Sequence, residues 1–435
     1  MNETTQGNLS YRKVLDELLR MHELSVAGEH ETDEIKKSRD AIDEPYSDMS
    51  ADEREAIEGL STDLLDVENI TSEPVLDYIP PGDEAMVKAL QAQRSCRYDD
   101  ALKLLRESKS KPASRLSFFR GRNWIEKREP RVALLFFNHA ANLDAENDDY
   151  KAEAFDALVR AYPERGQKEI TRVLTELPKG APAVIIKACD IAFNSTLRNR
   201  DEGNLRSLHE VIVRALHAAL VEMQEGPKKK LISETQPVYS YVYSMLASCC
   251  RYLDMLDPAY FYYTFAIGLD PLSDALLIAR GALMYGRTQV ATESAVEDFR
   301  RALRIGTSMA IPFYYIAHYL LHSQNFETCM KVIEDGLQKQ GSKQLKSEML
   351  EFKAIAFAAM NRPPELVRQT FKEATLVDQT NKRALSNLAI YEKGMAVPPT
   401  RDLYVLKIDP AMARRELPPP RTLREVNTAH HPVAV

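Results

Sequence analysis

The chain has 435 residues, of which 44% are hydrophobic and 28% charged, and its formal net charge is −7, a composition ordinary for a folded protein. Only 16 glycines, and few alternating runs of Val, Ile and Thr, argue against a β-sheet fold. The five cysteines lack C-x-x-C spacing, which excludes a zinc cluster built from them and favours a reducing compartment.

Negative charge is concentrated at the start of the chain. Residues 1–84 carry 23 acidic and 7 basic side chains, a net charge of −16, which leaves +9 for the remainder. This composition predicts a solvated, partly disordered arm over residues 1–83. The alternative is that the arm folds back onto the more basic remainder.

Two helices are indicated within this acidic arm. One face of a helix over 11–27 is formed by Leu15, Leu18, Leu19, His22 and Val26, and Gly28 can end that helix. A second helix begins at Ser50, because Glu53 completes a capping box with it. We expect Pro45 to lie between the two helices.

Two helix pairs follow the arm. The first joins residues 84–95 to 97–107. In the second, small and large apolar residues follow a fixed order, given by Gly121, Trp124, Ala133, Phe137 and Ala140. We expect Trp124, the only tryptophan, to be a core residue wedged between two helices.

The order of small and large apolar residues is harder to follow over residues 148–236. Four helices are predicted there, at 150–161, 166–177, 182–197 and 203–224. The loop at 226–230 contains three lysines, but no aromatic residue stands between them, so we predict no nucleic-acid partner.

The clearest pattern lies at 237–341, where one order of small and large residues is written three times. The three sets are Ala259, Tyr263, Ala266 and Pro271; Ala295, Phe299, Ala302 and Thr307; and Cys329, Ile333, Gly336 and Gly341. The spacing within each set is 4, 3 and 5, and the first member returns after 36 and then 34 residues. Another small residue precedes each set by 12 to 14 positions, at Ala247, Gly281 and Ala317. Because two antiparallel helices approach closely only where small residues face each other, each unit is predicted to be helix A, a turn and helix B.

This layout resembles the tetratricopeptide repeat, whose consensus has small residues at positions 8, 20 and 27 and an aromatic residue at 24. The resemblance implies an all-α fold, a right-handed α-solenoid of antiparallel helix pairs in a tetratricopeptide-like superhelix, over residues 84–394. We expect about eight pairs. The acidic arm is similar to a leader found before such arrays in some bacterial proteins, which implies a bacterial source.

The array is predicted to end in a capping helix. Residues 352–360 and 365–376 form the eighth pair, and 382–393 form an unpaired helix with one polar face. Residues 395–435 are rich in proline, so we expect an extended tail.

Recognisable catalytic chemistry is missing from the sequence. It has no phosphate loop, no G-x-G-x-x-G and no G-x-S-x-G motif. His318 and His322 are one helical turn apart, as zinc ligands can be, but Tyr319 stands where a metalloprotease needs glutamate and no third ligand is in view. We therefore expect no enzyme activity, no metal and no cofactor. No run of about 18 apolar residues occurs, so we expect a cytoplasmic protein with no membrane partner.

The resemblance places helix-A positions 2, 5, 9, 12 and 13 on a concave groove. In this chain it yields the candidate partner-binding residues Tyr241, Ser244, Arg251, Tyr252, Tyr285, Tyr314, His318 and His322. Tyrosine, histidine and arginine give large contact area and hydrogen bonds to a bound peptide. We predict a non-enzymatic scaffold or adaptor that binds a peptide or protein partner. Two alternatives stay open, a regulatory repeat subunit of an enzyme complex and a self-associating array that forms a homo-oligomer.

The charge difference between arm and array predicts competition. The register places Arg115, Arg122, Arg251 and Arg383 on the groove side. An acidic arm tethered nearby can then compete with an acidic or extended partner. We expect deletion of residues 1–81 to tighten partner binding at low salt.

Overall fold

A computed structural model describes residues 3–29, 32–69, 84–108, 113–198, 202–225 and 232–397. Within these ranges the chain forms twenty α-helices, and the predicted all-α fold class is confirmed. Contacts divide the chain into two compact units, Met1–Ile191 and Ala192–Val435.

The first unit begins with three helices that precede the predicted array. Its helices are α1 (Glu3–Val26), α2 (Asp33–Ser47), α3 (Ala51–Asn69), α4 (Glu84–Arg94), α5 (Tyr98–Glu107), α6 (Ala113–Glu126), α7 (Pro130–Leu143), α8 (Asp148–Ala161) and α9 (Pro163–Glu176). The next helix, α10 (Pro182–Arg198), crosses the division between the units. In this unit α4 packs on α5, α6 on α7 and α8 on α9.

The second unit continues the same arrangement. Its helices are α11 (Glu202–Glu225), α12 (Ile232–Tyr252), α13 (Leu256–Leu269), α14 (Asp274–Met284), α15 (Gln289–Ile305), α16 (Ile311–His322), α17 (Phe326–Leu337), α18 (Lys343–Ala359), α19 (Pro364–Val377) and α20 (Lys382–Glu392). The pairs are α12 with α13, α14 with α15, α16 with α17 and α18 with α19, and α20 packs on α19. Short turns make the members of each pair antiparallel.

The alternation of small and large residues is what lets the paired helices approach. A Cβ atom on Gly121 of α6 would lie 2.7 Å from the ring of Phe137 on α7. A Cβ atom on Gly281 of α14 would meet Phe299 of α15 at the same distance. Both aromatic rings are fully buried. The residue at repeat position 8, here Gly121 or Gly281, must therefore be small because the residue at position 24, here Phe137 or Phe299, is large.

The turn from helix A to helix B is also repeated. Its left-handed residue has φ between 52° and 81° in six pairs, at Cys96, Arg128, Asp254, Gly286, Gln324 and Asn361. After Arg128 and Asp254, the next N–H donates to the carbonyl five residues earlier, at 2.9 and 2.8 Å. This is a left-handed helix C-terminal cap, and it reverses the chain for the second helix of the pair.

Residues 3–29 and 32–69 of the acidic segment are helical and packed, whereas the charge of the segment favoured a solvated arm. Leu15 and Leu19 of α1 and Leu60 of α3 are buried in one core with Trp124 and Phe136. The apolar stripe of each helix therefore has a partner surface on the array helices of the first unit.

Ion pairs complete this packing. Asp63 of α3 has no exposed surface. Its carboxylate forms ion pairs with Arg106 Nε and Arg120 Nη2, each at 3.2 Å. At the other end Arg12 of α1 contacts Glu129 at 2.6 Å. In the described part of the segment, the helices thus pair with array side chains of both signs, Asp63 with arginines of α5 and α6, and Arg12 with a glutamate.

Two local predictions have different outcomes. The capping box is confirmed, because the Ser50 N–H donates to Glu53 Oε2 at 2.9 Å and the Glu53 N–H donates to Ser50 Oγ at 3.3 Å. Pro45 lies between α1 and α3, as expected, but it lies in the last turn of α2, a helix that the sequence did not indicate.

Several predictions fall partly outside the described residues. The basic loop at 226–230 does, and so does the proline-rich tail from residue 398 onward. The domain boundaries at 83/84 and 394/395 stay predictions.

Candidate partner-binding face

The eight candidate residues lie on α12, on α16 and at the end of α14, all in the second unit. Tyr252, at 38% exposure, and His322 are open to solvent. Ser244, Arg251 and Tyr285 are half-buried. The remaining three are buried, with exposures of 6% for Tyr241, 0% for Tyr314 and 6% for His318. The register therefore brings together two kinds of residue, an accessible set and a buried set beneath it.

A chain of hydrogen bonds connects the accessible His322 to the half-buried Tyr285. His322 Nε2 lies 3.1 Å from His318 Nε2, because the two residues are one turn apart on α16. His318 Nδ1 lies 2.8 Å from the hydroxyl of Tyr285. Two arrangements satisfy both contacts. Either the Tyr285 hydroxyl donates to Nδ1 and His318 Nε2–H donates to His322, or His318 Nδ1–H donates to Tyr285 and His322 Nε2–H donates to His318. The position of the exposed imidazole is thus fixed from below.

Burial keeps the Tyr285 hydroxyl in its neutral form. The pKa of Tyr285 is raised by burial first and by the neighbouring Tyr315 and Tyr319 next. A neutral phenol can donate a hydrogen bond, which a phenolate cannot. Tyr285 therefore keeps its hydrogen over the physiological pH range and stays bonded to His318 whichever nitrogen of that imidazole is protonated.

A second polar network lies under Tyr314 and joins α16, α18 and α20. The Tyr314 hydroxyl donates to Glu348 at 2.7 Å, and Arg383 contacts Glu348 at 2.9 Å and Glu351 at 3.2 Å. Asn387 donates to Glu351 at 2.8 Å. Burial raises the pKa of Glu351, and the neighbouring Arg383 acts in the opposite direction. This network holds α20 on α18 and fixes the ring of Tyr314.

Arg383 was expected to face a partner. In the structure its guanidinium lies between two buried carboxylates, with 29% of its side chain exposed. Most of its hydrogen-bonding capacity is used inside the molecule. Arg115, another of the four groove-side arginines, is buried at 7% exposure in the first unit.

Aromatic rings pack between the two networks. Tyr315 stacks on Phe299 at 4.8 Å between ring centres, and Tyr314 stacks on Phe352 at 5.3 Å. Burial raises the pKa of Tyr315 to about 12, and Arg251 acts in the opposite direction. Rings fixed in this way lose little entropy when a ligand contacts the neighbouring side chains.

Tyr252 is positioned by a residue that the sequence did not single out. His209 of α11 stacks on the Tyr252 ring at 4.8 Å with an angle of 8° between planes. His209 is 2% exposed, and burial lowers its pKa. In the sequence, His209 stands between Leu208 and Ile212 on the apolar stripe of α11, and this position could have indicated that it is buried.

Metal sites and membrane-spanning helices are missing from the described residues. Over those ranges no group of three or more His, Cys, Asp or Glu side chains could hold a metal ion. In the same part of the chain, each helix is too short or too polar to cross a membrane.

The helix packing defines an all-α repeat protein built from antiparallel helix pairs. No protein-family model matches the chain, and no curated protein matches it. One similar solved structure is the C-terminal part of a TPR repeat-containing protein from Cytophaga hutchinsonii, which is 14% identical in sequence. The match covers 69% of this chain and 98% of that chain, with a TM-score of 0.31. So low a TM-score adds nothing to the argument from the repeat pattern and the packing.

Proposed function

We propose that this chain is a non-enzymatic scaffold or adaptor, and that the second unit binds an extended segment of a protein partner. The proposed contact surface is formed by Arg251, Tyr252, Tyr285 and His322. A cytoplasmic location, favoured by five cysteines without C-x-x-C spacing, is part of the proposal.

The observation that carries the proposal is the fixed orientation of the accessible side chains. Tyr252 is stacked on His209, and His322 is held through His318 by Tyr285. Side chains held in advance of binding lose less conformational entropy when a partner docks. Such rigid aromatic and polar groups are typical of binding hot spots.

The buried candidates have a supporting role in this proposal. Tyr314 and His318 position the surface from below, and Tyr241 fills the core of α12. Ser244 is occupied locally, because its hydroxyl donates to the carbonyl of Tyr241 at 2.7 Å. We therefore expect substitutions of the buried set to act through stability, and substitutions of Tyr252 and His322 to act on binding alone.

The test uses a displayed library of short random peptides selected against the full-length protein. Peptides that are enriched should bind the double variant Tyr252→Ala, His322→Ala at least tenfold more weakly, a loss of about 1.4 kcal/mol or more. The matched control is Gln369→Ala, an exposed residue on α19. Enriched peptides that bind all three proteins equally would contradict the proposed surface, and a library without enrichment would contradict peptide binding itself.

A further inference from the structure

The outer face of α13 presents two exposed phenylalanines that no other described part of the chain covers. Asp257, Phe261, Thr264, Phe265 and Gly268 follow one another along this face, and all five are exposed. The exposed fractions of Phe261 and Phe265 are 58% and 59%. After Asp257, the helix contains no charged residue. A stripe with two exposed phenylalanines one turn apart is typical of a contact surface.

The same positions are polar in the neighbouring repeats. Counting from the first small residue of each set, Phe261 corresponds to Glu297 of α15, Lys331 of α17 and Gln369 of α19. Phe265 corresponds to Arg301, Asp335 and Glu373. Helix packing within the array therefore does not require an apolar residue there. The two phenylalanines are a property of this one helix.

The stripe is held in a fixed orientation. The ring of Phe265 stacks on Tyr243 of α12 at 5.6 Å, and Tyr243 stacks in turn on Tyr262 at 6.2 Å. The Tyr262 hydroxyl lies 3.0 Å from Nε2 of His217 on α11. Ordered aromatic side chains on a helix surface lose little freedom when they are buried by a partner.

We infer that this stripe pairs with the same stripe of a second copy, the two α13 helices running antiparallel across a two-fold axis. With the axis between Thr264 and Phe265, Phe261 of each copy lies opposite Gly268 of the other, and Thr264 lies opposite Phe265. A Cβ atom on Gly268 would meet nothing within 4 Å, so space for a partner's ring exists there. A large residue opposite a small one is the pattern that the paired helices of this fold already use.

Charges beside the stripe match this arrangement. Arg280 of α14 lies between α13 and α15, since it donates to Thr264 at 3.1 Å and contacts Asp298 at 2.7 Å. The centre of the α13 stripe is thus level with residue 298 of α15. Exposed Glu293 and Glu297 precede that level on α15, and a basic group follows it, consisting of Arg300, Arg301 and Arg304. Within one copy Arg304 pairs with Glu297 at 2.6 Å, an exposed pair that a second copy can exchange for the same pair between copies.

An antiparallel two-fold pairing brings α15 of each copy to the same side. The acidic first half of α15 then faces the basic second half of its copy, whereas a parallel two-fold pairing would place the two α15 helices on opposite sides, where they cannot face each other. This complementarity selects the antiparallel pairing and a second copy of this chain as the partner.

The expected dimer is weak. Stable interfaces bury about 1,600 Å² in total, and one helix stripe with two phenylalanines supplies less. Association should therefore depend on protein concentration, and added salt should weaken the α15 contacts.

Sedimentation velocity over a range of concentrations tests the inference on full-length protein. Phe261→Arg and Phe265→Arg should each raise the dimer dissociation constant at least tenfold. Gly268→Leu should do the same without lowering the melting temperature, because its side chain has free space in the monomer. Leu376→Arg is the control, since Leu376 is 78% exposed on α19. A wild-type protein that stays monomeric, or a Leu376→Arg protein that is equally impaired, overturns the inference.

Cysteine cross-linking tests the register. In a Cys96→Ser background, which removes the exposed thiol, Thr264→Cys should form a covalent dimer under mild oxidation. Phe261→Cys should not, because its two copies would lie about 10 Å apart along the helices. The double variant Phe261→Cys, Gly268→Cys should cross-link again. Cross-linking of Phe261→Cys alone would indicate a parallel pairing and would contradict the antiparallel one.

Discussion

Residues of the same type have different roles on the candidate face, and burial decides which role each has. Tyr252 is open to solvent, whereas Tyr314 has no exposed surface and donates to Glu348. The repeat register could predict that both residues lie on helix A. It could not predict that Glu348 and Phe352 of α18 would cover Tyr314, because the register gives a direction and not the reach of the neighbouring side chains.

His209 gives a pH dependence that the sequence did not indicate. Its folded-state pKa is lowered by burial, whereas in the unfolded chain it titrates near about 6.5. Between these values the unfolded state binds more protons, so the free energy of unfolding falls as the pH drops through that window.

The variant His209→Phe should remove this contribution. Urea unfolding at pH 7.5 and at pH 5.5 should show a smaller loss of stability in the variant than in the wild type. The difference cannot exceed about 1.4 kcal/mol for each pH unit, the limit for one proton. Parallel losses in the two proteins would show that another group sets the pH dependence. The aromatic stack on Tyr252 is kept by phenylalanine.

At the scale of elements, a capping box or a clear apolar stripe made a helix predictable, whereas a single side-chain cap, such as Thr32 at the start of α2, did not. The Ser50 to Glu53 capping box identified the start of α3, and the predicted helices at 150–161 and 203–224 correspond to α8 and α11. Helix α2 was missed because its Pro45 and high charge are both typical of loops. Its stability comes from packing on α1, a tertiary contact that local pattern does not report.

The packing of α3 depends on one buried carboxylate. Asp63→Ala would leave Arg120, which is 2% exposed, without its contact to that carboxylate. Breaking a buried ion pair costs about 3 to 5 kcal/mol, because a charge is left buried. Because Arg120 keeps its contact to Asp66 at 2.9 Å, we expect a loss near the lower end of this range for unfolding of the first unit.

Asp66→Ala provides the control for this prediction. Asp66 contacts Arg120 at 2.9 Å but is 46% exposed, so its loss should cost less than about 1 kcal/mol. Denaturant unfolding, followed through the fluorescence of Trp124 in the same unit, measures both variants. Equal effects of the two substitutions would mean that the buried position of Asp63 is not what matters.

At the scale of the molecule, the period was the strongest signal in the sequence. Gly281 opposite Phe299 has the geometry that the spacing predicted, and the same pair recurs as Gly121 opposite Phe137. The charge of residues 1–84 was a weaker guide to their structure, since charge reports solubility and not packing. The apolar stripes of this segment, which include Leu15 and Leu60, predicted its packed helices better.

A repeat fold predicts that damage at one end stays local, because each helix pair contacts only its neighbours. Glu351 accepts from Arg383, Asn381 and Asn387, so it holds α20 and its N-terminal cap on α18. We expect Glu351→Ala to speed amide hydrogen exchange in α20 at least tenfold and to leave α12 and α13 unchanged. Glu373→Ala, an exposed change on α19, should alter neither. Faster exchange throughout the second unit would instead show that this unit opens as a single cooperative block.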